Sequence, residues 1–311
     1  MSSTEREKTF IIPLLLTVLL TALMTGAAEI FHDNEIIFPE IAALATGYLY
    51  APKRAWQVNS VRMFCLISGC AVIGFLISVF LPWPLYLKVL VAFIIAQMIY
   101  IYSGTTLAPL ISAVVLPVLI GTRSVSYIFS AVVMTLLIIL CRQILVRAGI
   151  REDEPFVIQK KPDREAFRGV LLRTAAVAIL LIPAISLGWR YLAAPPLLVA
   201  FTELTAGWTP KSEKKPLRVI LLLTGCAAIG AASRYFLTVR LGLPLALSAA
   251  LAVLVMLLIL RRTSLFMPPA GAMTVLAMLI PEEALGAYVP EVFAAITIFM
   301  LVTVLYRSRA K

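Results

Sequence analysis

The chain has few of the groups that enzymes and metal proteins use. Its 311 residues include one histidine and four cysteines, and only 14% are charged. His32 lies in a predicted loop beside Asp33 and Glu35 without a second imidazole, so we expect no metal site. The sequence contains no H-E-x-x-H, G-x-S-x-G or P-loop motif, and we therefore expect no catalytic residues, no cofactor and no enzyme activity. All four cysteines fall inside apolar runs without a C-x-x-C pair, as is typical of buried structural thiols.

Polar surface is scarce as well. The chain is 61% hydrophobic with a mean hydropathy of +0.99, which excludes an ordinary soluble domain and indicates a multi-pass membrane protein. The net charge of +11 would favour nucleic acid as the partner of a soluble protein. Here the position of the charges explains it better, because cytoplasmic loops of membrane proteins collect Lys and Arg.

Apolar runs between charged, proline or glycine breaks predict twelve membrane segments in two sets of six, and hence an all-α polytopic fold. The first set comprises residues 10–31, 36–51, 61–81, 85–102, 105–120 and 124–147. The second comprises residues 170–188, 195–208, 217–239, 243–260, 267–280 and 285–306. The second and fifth segments of each set are the short ones, and we expect them to be short or discontinuous helices. Whether they cross the bilayer fully or enter and return is left open.

The two sets are related in sequence. The third segments, Arg62 to Gly74 and Arg218 to Gly230, match without a gap at an offset of 156, and the fifth segments match at an offset of 160, which pairs Pro109 with Pro269. We predict one repeat in residues 1–147, a cytoplasmic linker in 148–168 and a second repeat in 169–311. Six crossings per repeat make the repeats parallel, related by an axis along the membrane normal.

The distribution of basic residues predicts the orientation. Of the 27 Lys and Arg residues, 22 fall on the side of the N-terminus, and the exceptions are Lys88, Arg123, Arg190, Arg234 and Arg240. This asymmetry places both termini in the cytoplasm. We expect the protein in the plasma (inner) membrane.

The fifth segments open with polar and irregular sequence, which at membrane depth is tolerated only where protein or a water-filled cavity satisfies the backbone. Two such segments in matching halves indicate a binding site, and a helix N-terminus accepts an anion readily. Ordinary helix capping with proline in the first turn is the alternative. The candidate substrate-binding residues in these two openings are Ser103, Gly104, Thr105, Thr106 and Pro109 in the first, and Thr263, Ser264, Pro268, Pro269 and Gly271 in the second.

Charged residues in or beside the predicted segments give further candidates. Glu203 lies in the middle of the eighth segment, where an ionisable group is a functional hypothesis, as a proton carrier or a cation ligand. Glu40 follows Pro39 at the start of the second segment, and a charge at an interfacial helix N-terminus explains it better. Arg62 and Arg218 begin matching segments at the basic face; they either fix the topology or recruit an anion to the cytoplasmic mouth.

The stretch M-P-P-A-G-A-M-T, from Met267 to Thr274, resembles the motif of the HPP family of integral membrane proteins, in which His-Pro-Pro-Ala-Gly-Ala opens a membrane segment. Each half is similar to one divergent copy of that domain. Met267 stands in place of the histidine, and the first half has Leu107 and Ala108 before its proline, so any role of that histidine is missing here. The resemblance implies transport, and nitrite transport is associated with the plant members.

We therefore predict a secondary transporter of a small solute, an anion such as nitrite, that works by alternating access between the two repeats. Its expected partners are the lipid bilayer and that solute, and no nucleic acid; homo-oligomer formation is left open. Three alternatives stay open: a channel for small ions, a membrane enzyme acting on a lipid-linked substrate, and a non-transporting scaffold or assembly factor.

Overall fold

The computed structural model describes residues 3–206 and 216–310 and confirms the predicted all-helical class. Eight helices are long and apolar enough to cross a membrane. They are α1 (Ser3–Ile30), α3 (Ser60–Phe80), α4 (Leu85–Tyr102), α6 (Ser126–Arg147), α7 (Arg164–Ser186), α9 (Pro216–Ser233), α10 (Leu245–Thr263) and α12 (Leu285–Ala310). Four short helices complete the described fold: α2 (Glu40–Ala45), α5 (Pro109–Ile120), α8 (Pro195–Thr205) and α11 (Pro269–Leu279).

The short helices form the centre of the bundle. Every residue of α2 and α8 is buried, as are the first eleven residues of α5 and the first ten of α11. The long helices surround them and expose leucines such as Leu15 and Leu19 on the outside. With 12 residues, α5 is about 18 Å long, well below the thickness of a bilayer core. The non-helical loop that precedes α5 can lie at membrane depth because the surrounding protein encloses it.

Several helix boundaries differ from the prediction for local reasons. Helix α7 begins at Arg164, six residues before the predicted start, because the side chain of Asp163 accepts a hydrogen bond from the backbone N–H of Ala166 and caps the helix. Helix α2 continues as a π-helical turn, Thr46–Tyr50, and α9 continues as a π-helix, Arg234–Arg240. The predicted end of the eighth segment at residue 208 and the basic stretch 211–215 lie outside the described residues.

Equivalent helices make equivalent contacts in the two sets. Helix α3 packs against α5 and α6, and α9 packs against α11 and α12. A Cβ atom at Gly74 would lie 2.3 Å from the carbonyl oxygen of Val114, and one at Gly230 would lie 2.1 Å from that of Thr274. These are therefore sites of close backbone approach, where any side chain would force the neighbouring backbone to shift.

Contacts between the two sets come in exchanged pairs. Helix α1 packs against α10 while α7 packs against α4, and α2 packs against α11 while α8 packs against α5. The molecule therefore has two equivalent junctions between its sets, an α1–α10 junction and an α4–α7 junction. Arg151 of the α6–α7 linker donates to the carbonyl of Thr9 near the start of α1, so the linker and the start of α1 lie at the same end of the bundle. We call this the basic end.

Candidate functional site

A cavity of about 550 Å³ opens at the basic end, inside the α4–α7 junction. Helices α4, α7, α8 and α12, the loop between α4 and α5 and the linker before α7 contribute to its wall. The two sets therefore both line it. The polar side chains that matter for its chemistry are those of Tyr100, Thr105, Thr106, Arg173, Thr205 and Tyr306.

Arg173 is the buried charge of this cavity, with only 3% of its surface exposed. Its Nε donates to Oε1 of Gln97 at 2.8 Å and its Nη1 to Oγ1 of Thr205 at 3.2 Å. Gln97 in turn donates to Oγ1 of Thr202 at 2.8 Å, so its amide is held with the oxygen toward the arginine. Among the described residues, no carboxylate forms an ion pair with Arg173 and no acceptor takes a hydrogen bond from its Nη2. A buried cation without a counter-ion is costly, and an anion in the cavity would lower that cost.

The mouth of the cavity is built by the linker. Gln159, Lys160 and Lys161 line it, and the backbone N–H of Gln159 donates to the carbonyl of Gly104 at 2.9 Å. Asp163 and Glu165 also line the wall, although Asp163 is already engaged as the cap of α7. Two lysines therefore stand at the entrance above a buried arginine.

The first predicted opening lies at this cavity. Thr105 and Thr106 line it, and Oγ1 of Thr106 accepts a hydrogen bond from the backbone N–H of Gln57 at 2.8 Å. Ser103 bonds Oγ1 of Thr105 through its hydroxyl, and its carbonyl accepts from Arg62 at 2.8 Å. These hydrogen bonds hold the non-helical loop in place.

Two more residues of this opening lie behind the lining. Gly104 has a φ of +66°, which lets the loop turn below the linker. Pro109 is buried at the first position of α5. Neither residue lines the cavity, and both instead contribute to the shape of the loop.

The second predicted opening lies elsewhere. Thr263 and Ser264 are exposed, and Oγ1 of Thr263 donates back to the carbonyl of Ile259. Pro268 and Pro269 are buried at the start of α11, and a Cβ atom at Gly271 would lie 2.7 Å from the carbonyl oxygen of Ala42. None of these five residues lines the cavity. The glycine serves the contact of α11 with α2, and the structure does not bring the two openings together at one cavity.

The predicted acidic residues are buried in different places. Glu203, 3% exposed, accepts a hydrogen bond from the indole Nε1 of Trp56 at 2.7 Å, a contact between the two sets. Glu40 is the first residue of α2, as its position after Pro39 indicated, and it is 1% exposed and accepts from the hydroxyl of Ser112, so its carboxyl group lies inside the protein. Neither lines the cavity.

The matching arginines Arg62 and Arg218 have different surroundings. Arg62 is partly buried; it donates to the loop before α5 and stacks over the ring of Phe156 at 5.1 Å. Arg218 is exposed near the start of α9. Only Arg62 is therefore close to the loop that lines the cavity.

A cluster of arginines fastens the linker to the first set. Arg142 donates to the carbonyls of Tyr48 and Glu152, Arg54 donates to the backbone carbonyl of Glu154, and both arginines form ion pairs with the Glu154 carboxylate. Arg151 donates to the carbonyls of Leu49 and Tyr50 at the end of the π-helical turn. Burial lowers the pKa of Arg151 to about 10, so it stays charged at neutral pH.

Sequence reasoning missed Arg173. It was counted with the basic residues that fix the topology, although it lies inside the apolar run that begins at Val170. An arginine within a predicted membrane segment, three residues past its start, was the available signal.

The described residues hold no group of three His, Cys, Asp or Glu side chains suited to a metal ion. Comparison with family models, curated proteins and solved structures finds no match for this chain.

Proposed function

We propose that this membrane protein is a secondary transporter of a small anion and that the cavity with Arg173 is its binding site. The observation that carries the proposal is a buried guanidinium that faces a cavity without a carboxylate partner among the described residues. Buried ionisable groups in membrane proteins are expensive and mark substrate pathways by default.

The lining chemistry fits a small oxyanion. The guanidinium presents N–H donors in a plane, and the hydroxyl of Tyr100 can add a further donor to the ligand. The hydroxyl of Thr205 instead donates to the carbonyl of Phe201 and helps to hold the arginine. Lys160 and Lys161 place two positive charges at the mouth, beside the carboxylates of Asp163 and Glu165, so the buried charge of Arg173 is the main attraction for an anion. Nitrite is the first anion to test, since the resemblance to the HPP family carries that substrate.

Alternating access would follow from the position of the cavity between the sets. In this structure the cavity opens at the basic end, which we assign to the cytoplasmic side. A rocking of one set against the other would close this mouth and open a path to the opposite side. A channel would use the same cavity without that movement.

The test is anion uptake by the full chain in proteoliposomes, with nitrite, nitrate, chloride and phosphate as probes. We expect saturable uptake of one or more monovalent anions. Arg173→Gln should reduce it about a hundredfold, because losing a desolvated charge contact costs roughly 2–5 kcal/mol. Arg173→Lys keeps the charge without the planar donor set and should retain part of the activity.

Arg240→Gln is the matched control, because Arg240 is exposed and does not line the cavity. Uptake by the control should equal that of the unmodified protein. Uptake that is equally fast in Arg173→Gln would remove the proposed site. No flux of any probe would favour the scaffold, and flux that does not saturate would favour the channel.

A further inference from the structure

Glu40 is a buried carboxyl group that the proposed anion site does not use. It is the first residue of α2, and only 1% of its surface is exposed. Helices α1, α5, α6 and α11 all pack against α2. The carboxyl group therefore lies in the interior of the bundle.

Its hydrogen bonds are incomplete. Oε1 accepts from the hydroxyl of Ser112 on α5, whereas Oε2 is buried and has no hydrogen-bond partner among the described residues. No described Lys or Arg forms an ion pair with it. Glu203 and Glu291, the other strongly buried glutamates, accept hydrogen bonds from the Trp56 indole and the Tyr191 backbone N–H, respectively.

The surrounding elements offer little to stabilise a negative charge. Helices α5 and α11 carry no titratable side chain, and the charged residues of α1 that follow residue 6 lie at its ends, as Glu7, Lys8 and Glu29. Helix α6 presents Tyr127, whose hydroxyl is committed to the carbonyl of Ala113 at 2.9 Å. The remaining titratable groups on these elements lie toward the basic end: Cys141, Arg142 and Arg147 on α6, and Tyr48 and Tyr50 after α2.

Magnitudes decide the protonation state. Position in the first turn of α2 favours an anion by at most about 2 kcal/mol, and less for a helix of six residues. Leaving a carboxylate in a dry interior costs several kcal/mol. A sodium ion would need several oxygen ligands, whereas a proton needs only the carboxyl group itself.

We propose that Glu40 is a proton-binding site and that it holds a proton in the arrangement seen here. The hydroxyl of Ser112 orients the neutral carboxyl group. Movement of α2 into contact with water would release the proton, and return of α2 to the dry core would take one up. Resting on the proposed transport function, this exchange supplies the coupling between anion uptake and a pH gradient.

Infrared spectra of the full chain in D2O at neutral pD test the site without any transport measurement. The spectrum of each variant is subtracted from that of the unmodified protein. We expect the carbonyl band of a protonated carboxyl group, and we expect Glu40→Gln to remove it. Ser112→Ala should shift the band to higher frequency, because the carbonyl loses its hydrogen bond. Glu291→Gln is the control and should leave the band unchanged, since the Glu291 carboxylate accepts from the Tyr191 N–H at 2.6 Å.

A spectrum without the band, or a band that persists in Glu40→Gln, would overturn the proposal. Proteoliposomes with an imposed pH gradient then test the coupling. The unmodified protein should accumulate anion above equilibrium, and Glu40→Gln should only equilibrate it. Accumulation that survives in Glu40→Gln refutes the coupling role. A band at Glu40 without any anion flux would refute the transport proposal while the proton site stands.

Discussion

The two junctions between the sets are built from equivalent helices but are filled differently. At the α1–α10 junction the rings of Tyr50 and Phe266 stack at 6.1 Å, Phe10 meets Tyr50 edge-on, and Arg261 lies 3.6 Å over the Phe10 ring. The α4–α7 junction instead contains the cavity and Arg173. One junction is closed by aromatic packing, and the other offers a polar space.

The sequence shows how small the difference is. At the 160-residue offset that relates Pro109 to Pro269, Phe266 corresponds to Thr106 and Leu257 to Gln97. On the closed side the carbonyl of Leu257 accepts from the hydroxyl of Tyr50, and on the open side Gln97 holds Arg173. Two sets with the same helix contacts can therefore differ at one junction through a few polar replacements.

Comparing the two junctions assumes that the helices of both sets have the same backbone arrangement. Substituting the paired glycines tests this assumption, and it has the largest expected effect. Gly74→Ala and Gly230→Ala should each lower the free energy of unfolding by about 2 kcal/mol, because the added methyl group overlaps a backbone carbonyl. Gly69→Ala and Gly225→Ala are the controls. A Cβ atom there meets nothing within 4 Å, and alanine favours a helix by up to about 1 kcal/mol. Thermal unfolding in detergent measures all four, and a tolerant Gly230→Ala would break the equivalence.

Converting the open junction toward the closed one should have the next largest effect. Thr106→Phe places the closed side's residue in the cavity wall, and we expect it to reduce anion uptake about tenfold, equivalent to roughly 1.4 kcal/mol. Thr106→Val is the control, since it removes the hydroxyl that accepts from Gln57 without filling the space. Equal uptake by both variants would show that ring volume at this position does not matter.

The reverse change is expected to be the mildest. Phe266→Thr removes one ring from the stack with Tyr50 and should lower the free energy of unfolding by about 1 kcal/mol, the magnitude of an aromatic pair. Anion uptake should stay unchanged because Phe266 does not line the cavity. A new uptake pathway in this variant would mean that the aromatic packing alone closes the junction.

The fold could be predicted further than the site. Apolar run length and breaks located the long helices and the short ones, because the bilayer sets a length scale that the sequence must meet. Gly74 and Gly230, which end the matching stretches of the third segments, both lie where two helix backbones approach closely. The packing of one set against the other depends on contacts between residues far apart in sequence. No local sequence feature could therefore predict that the opening at Thr105 lines the cavity and the opening at Thr263 does not.

Burial was the second quantity that the sequence could not supply. Glu203 lies in the middle of a predicted segment and Glu40 at the start of one, and only the structure shows that both are enclosed and that their hydrogen-bond partners differ. Arg173 was hidden among basic residues that obey the orientation rule, since composition does not reveal which side chain turns inward.

The fastened linker has a mechanical consequence. Arg54, Arg142 and Arg151 fix its early residues to the first set, and Gln159 is tied to Gly104 in the same set. Helix α7 of the second set begins only at Arg164, after the cap at Asp163. If the second set swings against the first, as the proposed alternating access requires, the chain must bend within residues 160–163. Lys160 and Lys161 at the cavity mouth would then lie in the segment that flexes, and its four residues would limit how far the linker allows the sets to separate.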